Sequence, residues 1–332
     1  MSNAFMNQKT NDNFSFLRGI DLQNLLVETN QYFLEYRDTL NLPKDVTFGI
    51  EIEYEGVLKS IIDNFVKKNL KDWNSKSDAS LSSGGEITSP VMSDEISYWK
   101  ELRKICEHLS KRKADTLHNA GGHIHVGANV LGDDVEAWKC FLKLYTAYEN
   151  VLFRFIYGDK VSGRKKLFKY APPTADLIYN RIHNISKANL LSEIQSNLQT
   201  NVRYTALNFC NVSFCNPRDR NGKNTLEFRS PNATTNEVVW QNNINTLTKM
   251  LVSSRNKVID EDFLDYKLSH EYLPYLGNEY LYNGVNLKNA LEFVDLVFDN
   301  NLDKMYFLRQ YLKDFQENYG MKMAVKAKKF IR

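Results

Sequence analysis

Four short segments of this 332-residue chain alternate apolar side chains with polar ones, most of which are glutamate or histidine. The segments read FGIEIEYEG, GGEITSP, GGHIHVG and NTLEFRS. Because successive side chains of a β-strand point to opposite faces of a sheet, each segment predicts a strand with one apolar and one polar face. The polar faces carry Glu51, Glu53, Glu86, Thr88, His123, His125, Glu227 and Arg229. The sequence therefore predicts a sheet that buries one side in a core and collects acidic and imidazole groups on the other.

The glutamates on these strands would repel one another if they stood close together in a partly dry site. For any single segment, a solvated amphipathic strand is the simpler interpretation, but such faces usually include lysine, and these include none. Together the four segments favour a bound cation. Carboxylate-rich sites with one or two imidazoles suit Mg²⁺ or Mn²⁺, whereas zinc prefers cysteine and histidine. With carboxylates crowded in this way, Glu227→Gln is expected to leave stability unchanged or to raise it.

Arg229 lies two residues after Glu227, on the same predicted face of the strand. It would place a permanent planar cation where a transferring phosphoryl group gathers negative charge. A structural ion pair with one of the glutamates is the alternative interpretation of this arginine. The chain contains neither Gly-x-x-x-x-Gly-Lys-Ser/Thr nor Gly-x-Gly-x-x-Gly, so nucleotide binding would use neither a P-loop nor a Rossmann turn.

The composition, with 42% hydrophobic and 25% charged residues, excludes a disordered or fibrous chain. The formal net charge of +3 gives no argument for a nucleic-acid or anionic-membrane partner. Four cysteines, none spaced as Cys-x-x-Cys, predict neither a disulfide scaffold nor a zinc ribbon and favour a reducing compartment. No segment resembles a secretion signal or a membrane span, so we expect a soluble, cytoplasmic protein that binds neither nucleic acid nor membrane.

Hydrophobic periodicity predicts further elements around these strands. Val46–Tyr54 should form a half-buried strand, and an amphipathic helix should follow Asp94, which is placed to cap it. A second helix, with a wide aromatic stripe that should be mostly buried, is expected from about Asp134 to Tyr157. Its cap is Asp133 or Asp134.

The second half of the chain predicts a hairpin followed by helices. Residues 204–214 and 225–230 flank Asn221-Gly222, a dipeptide that favours a tight turn because both residues tolerate positive φ. Thr234 and Glu237 are spaced as a capping box before a helix. The remainder reads as amphipathic helix, with the last one over 305–319.

Five segments of the chain together resemble the putative amidoligase family, and they occur in that family's order. They read FGIEIEYEG, DASLSSGGEITSP, NAGGHIHVG, NVRYTALN and NTLEFRSPNATT. The family shares the fold of glutamine synthetase and glutamate–cysteine ligase. The resemblance implies an α+β fold with a curved antiparallel sheet flanked by helices. We accordingly expect a helical N-terminal extension over 1–45, the catalytic domain over 46–255, and a mainly helical C-terminal region over 256–332 packed on it.

The resemblance also implies an activity, that of an ATP-dependent carboxylate–amine ligase. Such an enzyme would transfer the γ-phosphate of ATP to a carboxylate and let an amine displace the phosphate to form an amide. Its cofactors would be ATP and two or more Mg²⁺ or Mn²⁺ ions. Its substrates would be a carboxylate-bearing amino acid or peptide and an amine, and homo-oligomerisation stays open.

Carried over residue by residue, the resemblance makes Glu51, His123 and Glu227 ligands of one metal ion and Glu53 and Glu86 ligands of another. Asp78 would be a further acidic member and, with Glu86, a candidate for the base that deprotonates the amine. Arg229 would contact the transferring phosphoryl group, His125 would lie near the nucleotide, Arg164 near its phosphates and Asn208 beside the substrate. The candidates for nucleotide and substrate binding are thus His125, Arg164, Arg229 and Asn208.

The sequence also allows three alternative functions. A zinc hydrolase also uses His-x-His on a strand, but it needs further ligands, and the other histidines fall in helical or irregular contexts. A phosphotransferase of the guanidino-kinase kind would stop at phosphoryl transfer, and the sequence does not separate it from a ligase. An inactive nucleotide- or peptide-binding protein would have no reason to keep the acidic positions crowded beside Arg229.

Overall fold

The structure, a computed structural model, describes residues 34–116, 119–157, 167–198, 202–215, 222–276 and 284–312. These residues form an α+β fold around a six-stranded antiparallel sheet with the strand order β2-β3-β1-β4-β6-β5. The α+β prediction is confirmed. The strands are β1 (Phe48–Glu55), β2 (Asn74–Lys76), β3 (Gly84–Thr88), β4 (Gly122–Gly127), β5 (Leu207–Asn208) and β6 (Thr225–Phe228).

The apolar face of the sheet forms the core, as the alternating pattern predicts. Ile50, Ile52 and Ile124 on the two central strands are almost completely buried. Phe48 of β1 stacks on Trp99 with ring centroids 5.2 Å apart, so helices cover this side of the sheet. The polar side chains of the same strands therefore point away from the core, toward the opposite face.

Helices account for most of the remaining described residues. The first three are α1 (Lys59–Asn69), α2 (Ile96–Lys111) and α3 (Val135–Tyr157). Four short helices follow, α4 (Leu167–Tyr170), α5 (Ala175–Tyr179), α6 (Ile182–Lys187) and α7 (Leu191–Asn197). The last four are α8 (Glu237–Arg255), α9 (Glu261–His270), α10 (Gly284–Val297) and α11 (Asn301–Tyr311). None of the helices among the described residues is both long and apolar enough to cross a membrane.

Helix α3 behaves as its aromatic stripe predicts. It is buried along almost its whole length. Asp134 caps it, because its Oδ1 accepts hydrogen bonds from the backbone N–H groups of Glu136 at 3.0 Å and Ala137 at 3.3 Å. The prediction of a buried helix capped at Asp133 or Asp134 is therefore confirmed, with Asp134 as the cap.

The capping prediction for α2 is wrong. Glu95 occupies the N-cap position and makes no side-chain cap. Asp94 instead accepts hydrogen bonds from the Leu40 and Leu42 backbone N–H groups and from Trp99 Nε1. The Asp94 carboxylate thereby connects the segment at Leu40 and Leu42 to Trp99 of α2. Such a long-range contact cannot be predicted from local spacing.

The capping box before α8 is also wrong. Asn236 is the N-cap, and its side chain accepts from the Val238 N–H at 2.9 Å. Thr234 Oγ1 accepts from the Asn236 N–H at 3.1 Å, so it lies two residues before the N-cap position. The apolar stripe of this helix is nevertheless buried as predicted, with Trp240 in the core.

The predicted hairpin is correct in direction but wrong in extent. Strand β5 has only two residues, which pair antiparallel with β6, and residues 209–215 form turns and do not extend the strand. Gly222 takes a positive φ of 58°, while Asn221 lies outside the described residues. The side-chain amide of Asn208 caps this turn by accepting from the Cys210 N–H at 2.8 Å. This local hydrogen bond ends the strand early.

The C-terminal helices share the core of the sheet domain. Phe307 of α11 stacks on Phe155 of α3 at 4.3 Å between ring centroids. Asn242 of α8 donates to the Tyr306 carbonyl at 3.0 Å and to Gln310 Oε1 at 2.9 Å. The last predicted helix, over 305–319, in fact begins at Asn301, and its residues after 312 lie outside the described part. The same holds for residues 1–33 of the expected helical extension.

Two glycines of the strand motifs are required by close packing. A Cβ at Gly84 would lie 1.8 Å from the Tyr54 carbonyl oxygen on the neighbouring strand. A Cβ at Gly122 would lie 2.5 Å from the Trp240 ring and 2.8 Å from the Asn232 carbonyl oxygen. Larger residues would push strands β3 and β4 away from their neighbours and so disturb the polar face.

Candidate functional site

The antiparallel register brings the polar residues of the four motifs into one group. In the ladders Glu53 faces Glu86, and Glu51 faces His123. The next ladder pairs His125 with Glu227, which also faces Asn208 of β5. Each of these residues sits on its strand at a position whose neighbours along the chain point into the core, and this alternation is what the sequence predicts.

Glu51 lies at the centre of the group, between two imidazoles. His123 Nδ1 is 2.7 Å from Glu51 Oε2, and His125 Nε2 is 3.2 Å from Glu51 Oε1. Burial raises the pKa of the Glu51 carboxyl, but the two neighbouring imidazoles outweigh it and bring the pKa far below its usual value. Glu51 is therefore an anion at neutral pH.

Glu227 lies beside Glu51 and is held by Asn208 of β5 and by Arg229, which follows β6. Its Oε2 accepts a hydrogen bond from Asn208 Nδ2 at 2.7 Å, and its Oε1 accepts one from Arg229 Nη1. Burial raises the pKa of Glu227, but His125, His123 and Arg229 lower it further than burial raises it. The structural ion pair that the sequence left open for Arg229 is thus present.

One set of three residues among the described parts of the chain has the geometry of a metal site. Glu51, His125 and Glu227 each offer one atom, and these atoms lie within 4.8 Å of one another. The Nε2 atom of His125 is buried and makes no hydrogen bond, although a carboxylate oxygen lies 3.2 Å away. A nitrogen that is buried, unbonded and next to two carboxylates fits a cation better than it fits a hydrogen-bonded core.

This grouping differs from the one that the resemblance implies, in which His123 is the ligand and His125 lies near the nucleotide. His123 Nδ1 is committed to Glu51 at 2.7 Å and lies 3.6 Å from Glu227 Oε1. Its other ring nitrogen lies 3.8 Å from Glu53 Oε1. His123 therefore stands between the two carboxylate pairs.

Glu53 and Glu86 form the second acidic pair. Glu53 accepts a hydrogen bond from the Gly121 N–H, which fixes one of its oxygens. Burial and the charge of Glu51 raise the pKa of Glu86, and Lys76 partly offsets this from 3.3 Å. The raised pKa indicates that neighbouring positive groups offset the negative charge of Glu86 less than they offset those of Glu51 and Glu227.

A cavity of about 370 Å³ opens over this face of the sheet. Its lining includes the strand residues Glu51, Glu53, Glu86, His123 and Arg229. On one side it is closed by Asp78, Ala79, Ser80 and Asn119, and on the other by Tyr170, Arg203 and Tyr204. Asp78 lines the cavity from a loop, where its Oδ1 accepts from the Ser80 N–H. Arg164 lies outside the described residues.

Sequence reasoning did not single out several residues that line this cavity or support its lining. Glu55 continues the two-residue period of FGIEIEYEG, and its carboxylate accepts from the Ser82 N–H at 2.8 Å and from Asn119 Nδ2 at 2.9 Å. It thereby holds both segments of the Asp78 side. The period could have identified Glu55. Nothing in the spacing of Arg203 and Tyr204 indicates that they reach over the sheet.

Comparison with known proteins gives one finding. A family model described as "Putative amidoligase enzyme" matches residues 56–251 of the chain. This span contains β3, β4, β5 and β6 with their polar residues, while β1 with Glu51 and Glu53 precedes it. No curated protein matches the chain.

Proposed function

The chain belongs to the putative amidoligase family, and on that premise we propose that it is an ATP-dependent carboxylate–amine ligase that forms an amide through an acyl phosphate. The observation that carries the proposal is the convergence of Glu51, His125 and Glu227, next to a cavity that Glu51 and Arg229 line. Such a set can hold a divalent cation and face a phosphoryl group with a guanidinium.

The donor set fits Mg²⁺ or Mn²⁺. Glu51, His125 and Glu227 would hold one ion, and Glu53 and Glu86 a second. Two carboxylates and one imidazole are ligands that Mn²⁺ and Mg²⁺ accept, and among the described residues no cysteine joins them, as a zinc site would favour. When bound, the ions would neutralise and orient the phosphate oxygens of ATP. His123 would fix the orientation of Glu51 by its 2.7 Å contact, as hydrogen-bond partners of metal ligands do.

The proposed reaction joins two anions in its first step. One oxygen of the substrate carboxylate attacks the γ-phosphorus of ATP, the bond to the bridging oxygen breaks, and ADP leaves. The amine nitrogen then attacks the acyl carbon, phosphate leaves with the electron pair of the carbon–oxygen bond, and a base accepts the nitrogen's proton. Arg229 would offset the charge that gathers on the transferring group.

Glu227 has two functions in this proposal. Besides offering an oxygen to a cation, it holds the Arg229 guanidinium, whose Nε also reaches the Tyr170 carbonyl oxygen at 3.5 Å. The side chain of Arg229 is thereby preorganised, so that little reorganisation is required when charge develops. Asn208 locks the second oxygen of Glu227 and so acts on the same arrangement.

Glu86 and Asp78 are the proposed candidates for the base. The pKa of Glu86 is raised by burial and by Glu51, which makes this carboxylate a better proton acceptor than an ordinary one. Both residues line the cavity on the side away from Arg229. We further propose that the sheet is of the glutamine synthetase kind, with ATP as cosubstrate and an amino acid or peptide as the acid.

The proposal is tested by incubating the protein with ATP and Mg²⁺ across a panel of carboxylic acids and amines. The expected products are ADP, phosphate and an amide whose mass is that of the two substrates less water. Release of AMP and pyrophosphate would indicate adenylation and would overturn the acyl-phosphate route. A phosphorylated acceptor without an amide would favour the phosphotransferase alternative.

A further inference from the structure

The cavity has two walls of opposite chemical character, which lie on opposite sides of the central strands. The segment 78–80 leads into β3, whereas Arg203 and Tyr204 lead into β5, and in the strand order these two strands flank the central pair from opposite ends. The first wall is acidic and polar. The second carries two guanidinium groups, of Arg203 and Arg229, and two tyrosine rings.

The two arginines of the second wall differ in what they already bind. Arg229 is buried and already donates to Glu227 through Nη1 and to the Tyr170 carbonyl through Nε. Arg203 is exposed to the cavity and forms no ion pair or hydrogen bond with any other residue that the structure describes. A guanidinium that faces a cavity without a partner can donate to an incoming carboxylate through two parallel N–H groups.

The tyrosine rings are positioned to contact the carbon skeleton of a ligand. Tyr204 is 50% exposed, although it is large and partly apolar. Its ring packs edge-on against Tyr170 with centroids 5.6 Å apart, and the Arg229 guanidinium lies 5.8 Å from its centre. These contacts restrict the ring, so it presents an apolar surface beside Arg229 on the wall that Arg203 also lines.

We propose that Arg203 is a specificity residue that binds a second carboxylate of the acid substrate, one that is not activated. This inference rests on the proposed function. The reacting carboxylate lies at the acidic group and Arg229, the carbon chain lies along Tyr204 and Tyr170, and the far carboxylate pairs with Arg203. The acid substrate is therefore a dicarboxylic acid or a peptide with a free terminal carboxylate.

The test uses pairs of acids that differ in one group. Short peptides and α,ω-dicarboxylic acids are supplied with the second carboxylate either free or blocked as its primary amide. Binding to the full chain is measured by calorimetry with Mn²⁺ and ADP present. The wild type should bind at least one free acid about tenfold more tightly than its blocked partner, because a charge-assisted hydrogen-bond pair is lost on blocking. Arg203→Gln should abolish that preference, and Arg112→Gln, an exposed arginine on the helical side, should retain it.

Two results would overturn the inference. One is a wild type that binds no free acid more tightly than its blocked partner. The other is an Arg203→Gln variant that keeps the preference. If that variant also loses about tenfold in affinity for ADP, Arg203 is a phosphate ligand instead. Neither result depends on turnover. The proposed function fails separately, if no acid in the panel supports ADP release with an amine.

Discussion

The Nδ1 atom of His123 lies 2.7 Å from Oε2 of Glu51, its partner across the β1–β4 ladder. This contact leaves the other Glu51 oxygen facing His125 Nε2 at 3.2 Å. The two imidazoles of one His-x-His motif thus occupy different positions: one orients the carboxylate, and the other stands where a cation would be shared. The first prediction concerns this difference.

His125→Gln should abolish Mn²⁺ binding, because it removes the one unbonded nitrogen of the three-residue set. His123→Gln should weaken binding by roughly 10- to 100-fold, the usual effect of losing a residue that orients a ligand. His183→Gln, an exposed residue on α6, is the matched control and should bind as the wild type does. Titration followed by electron paramagnetic resonance of free Mn²⁺ measures all three, and the reverse order for the two site histidines would refute the assignment.

Glu227→Gln should lose turnover and should also be less stable. Arg229 and Asn208 both donate to this carboxylate, so neutralising it leaves a buried guanidinium poorly compensated at a cost of about 3 kcal/mol. Repulsion among the glutamates alone predicts that Glu227→Gln leaves stability unchanged or raises it. The neighbouring cations, however, lower the pKa of Glu227, so its charged form is favoured in the folded chain. Urea unfolding at neutral pH shows whether Glu227→Gln lowers or raises the free energy of unfolding. Glu107→Gln, on the exposed side of α2, should change stability by less than about 0.5 kcal/mol.

Asp303→Asn should destabilise the chain by about 3 kcal/mol, because it leaves the buried Lys249 and the half-buried Arg37 short of a partner. The carboxylate binds Arg37 Nη1 and Lys249 Nζ, each at 2.6 Å. Asp299 also contacts Lys249, at 3.4 Å, but its side chain is 80% exposed. Asp299→Asn is therefore the matched control and should cost less than about 0.5 kcal/mol. If the two substitutions lowered the free energy of urea unfolding equally, Asp303 of α11 would not be the main partner of these two cations.

The same carboxylate gives a pH dependence with a defined sign. Burial raises the pKa of Asp303, but Lys249 and Arg37 lower it below 3.8, its ordinary value. The unfolded chain then binds more protons than the folded one, so the contribution is present above about pH 3.8 and is lost as the pH falls through the folded pKa. Acid unfolding of the wild type should accordingly be steeper than that of Asp303→Asn.

Glu149 of α3 should give a dependence of stability on pH that is opposite in sign to that of Asp303. Its carboxylate accepts from the Thr174 and Ala175 N–H groups at the start of α5, yet burial raises its pKa to about 7. Between pH 4.5 and about 7 the folded chain binds the extra proton, so this contribution to stability falls as the pH rises. Glu149→Gln should remove this pH dependence and cost about 1–3 kcal/mol, because the two N–H groups meet different carboxylate oxygens and the amide NH2 that replaces one of them cannot accept. Thermal unfolding across this pH range measures both effects.

The strand motifs allowed the polar face to be predicted from sequence because period two fixes which side chains share a face. Glu51, His123 and Glu227 come from strands far apart in the chain, and the antiparallel ladders bring them together as the motifs indicate. The assignment of each histidine did not follow from the sequence. The role of each histidine depends on which ring nitrogen contacts which carboxylate oxygen, and the register of the β1–β4 and β4–β6 ladders determines those contacts.

The sequence-based predictions that were wrong or incomplete concern contacts between distant parts of the chain. Asp94 has the spacing of a cap but is used by the N-terminal segment, and Asn236 replaces Thr234 at the start of α8. Arg203 and Tyr204 belong to a loop whose position depends on the two-residue strand that follows it. Local spacing contains no information on such contacts, so one wall of the cavity could not be predicted.

The account is tested most directly by trapping the activated carboxylate. Hydroxylamine replaces the amine, the acid panel is supplied with ATP and Mg²⁺, and both hydroxamate and nucleotide are quantified. The wild type should form hydroxamate and ADP in equal amounts with at least one acid, and Glu227→Gln should form neither while Glu107→Gln forms both. Hydroxamate accompanied by AMP, or undiminished formation in Glu227→Gln, would contradict the account.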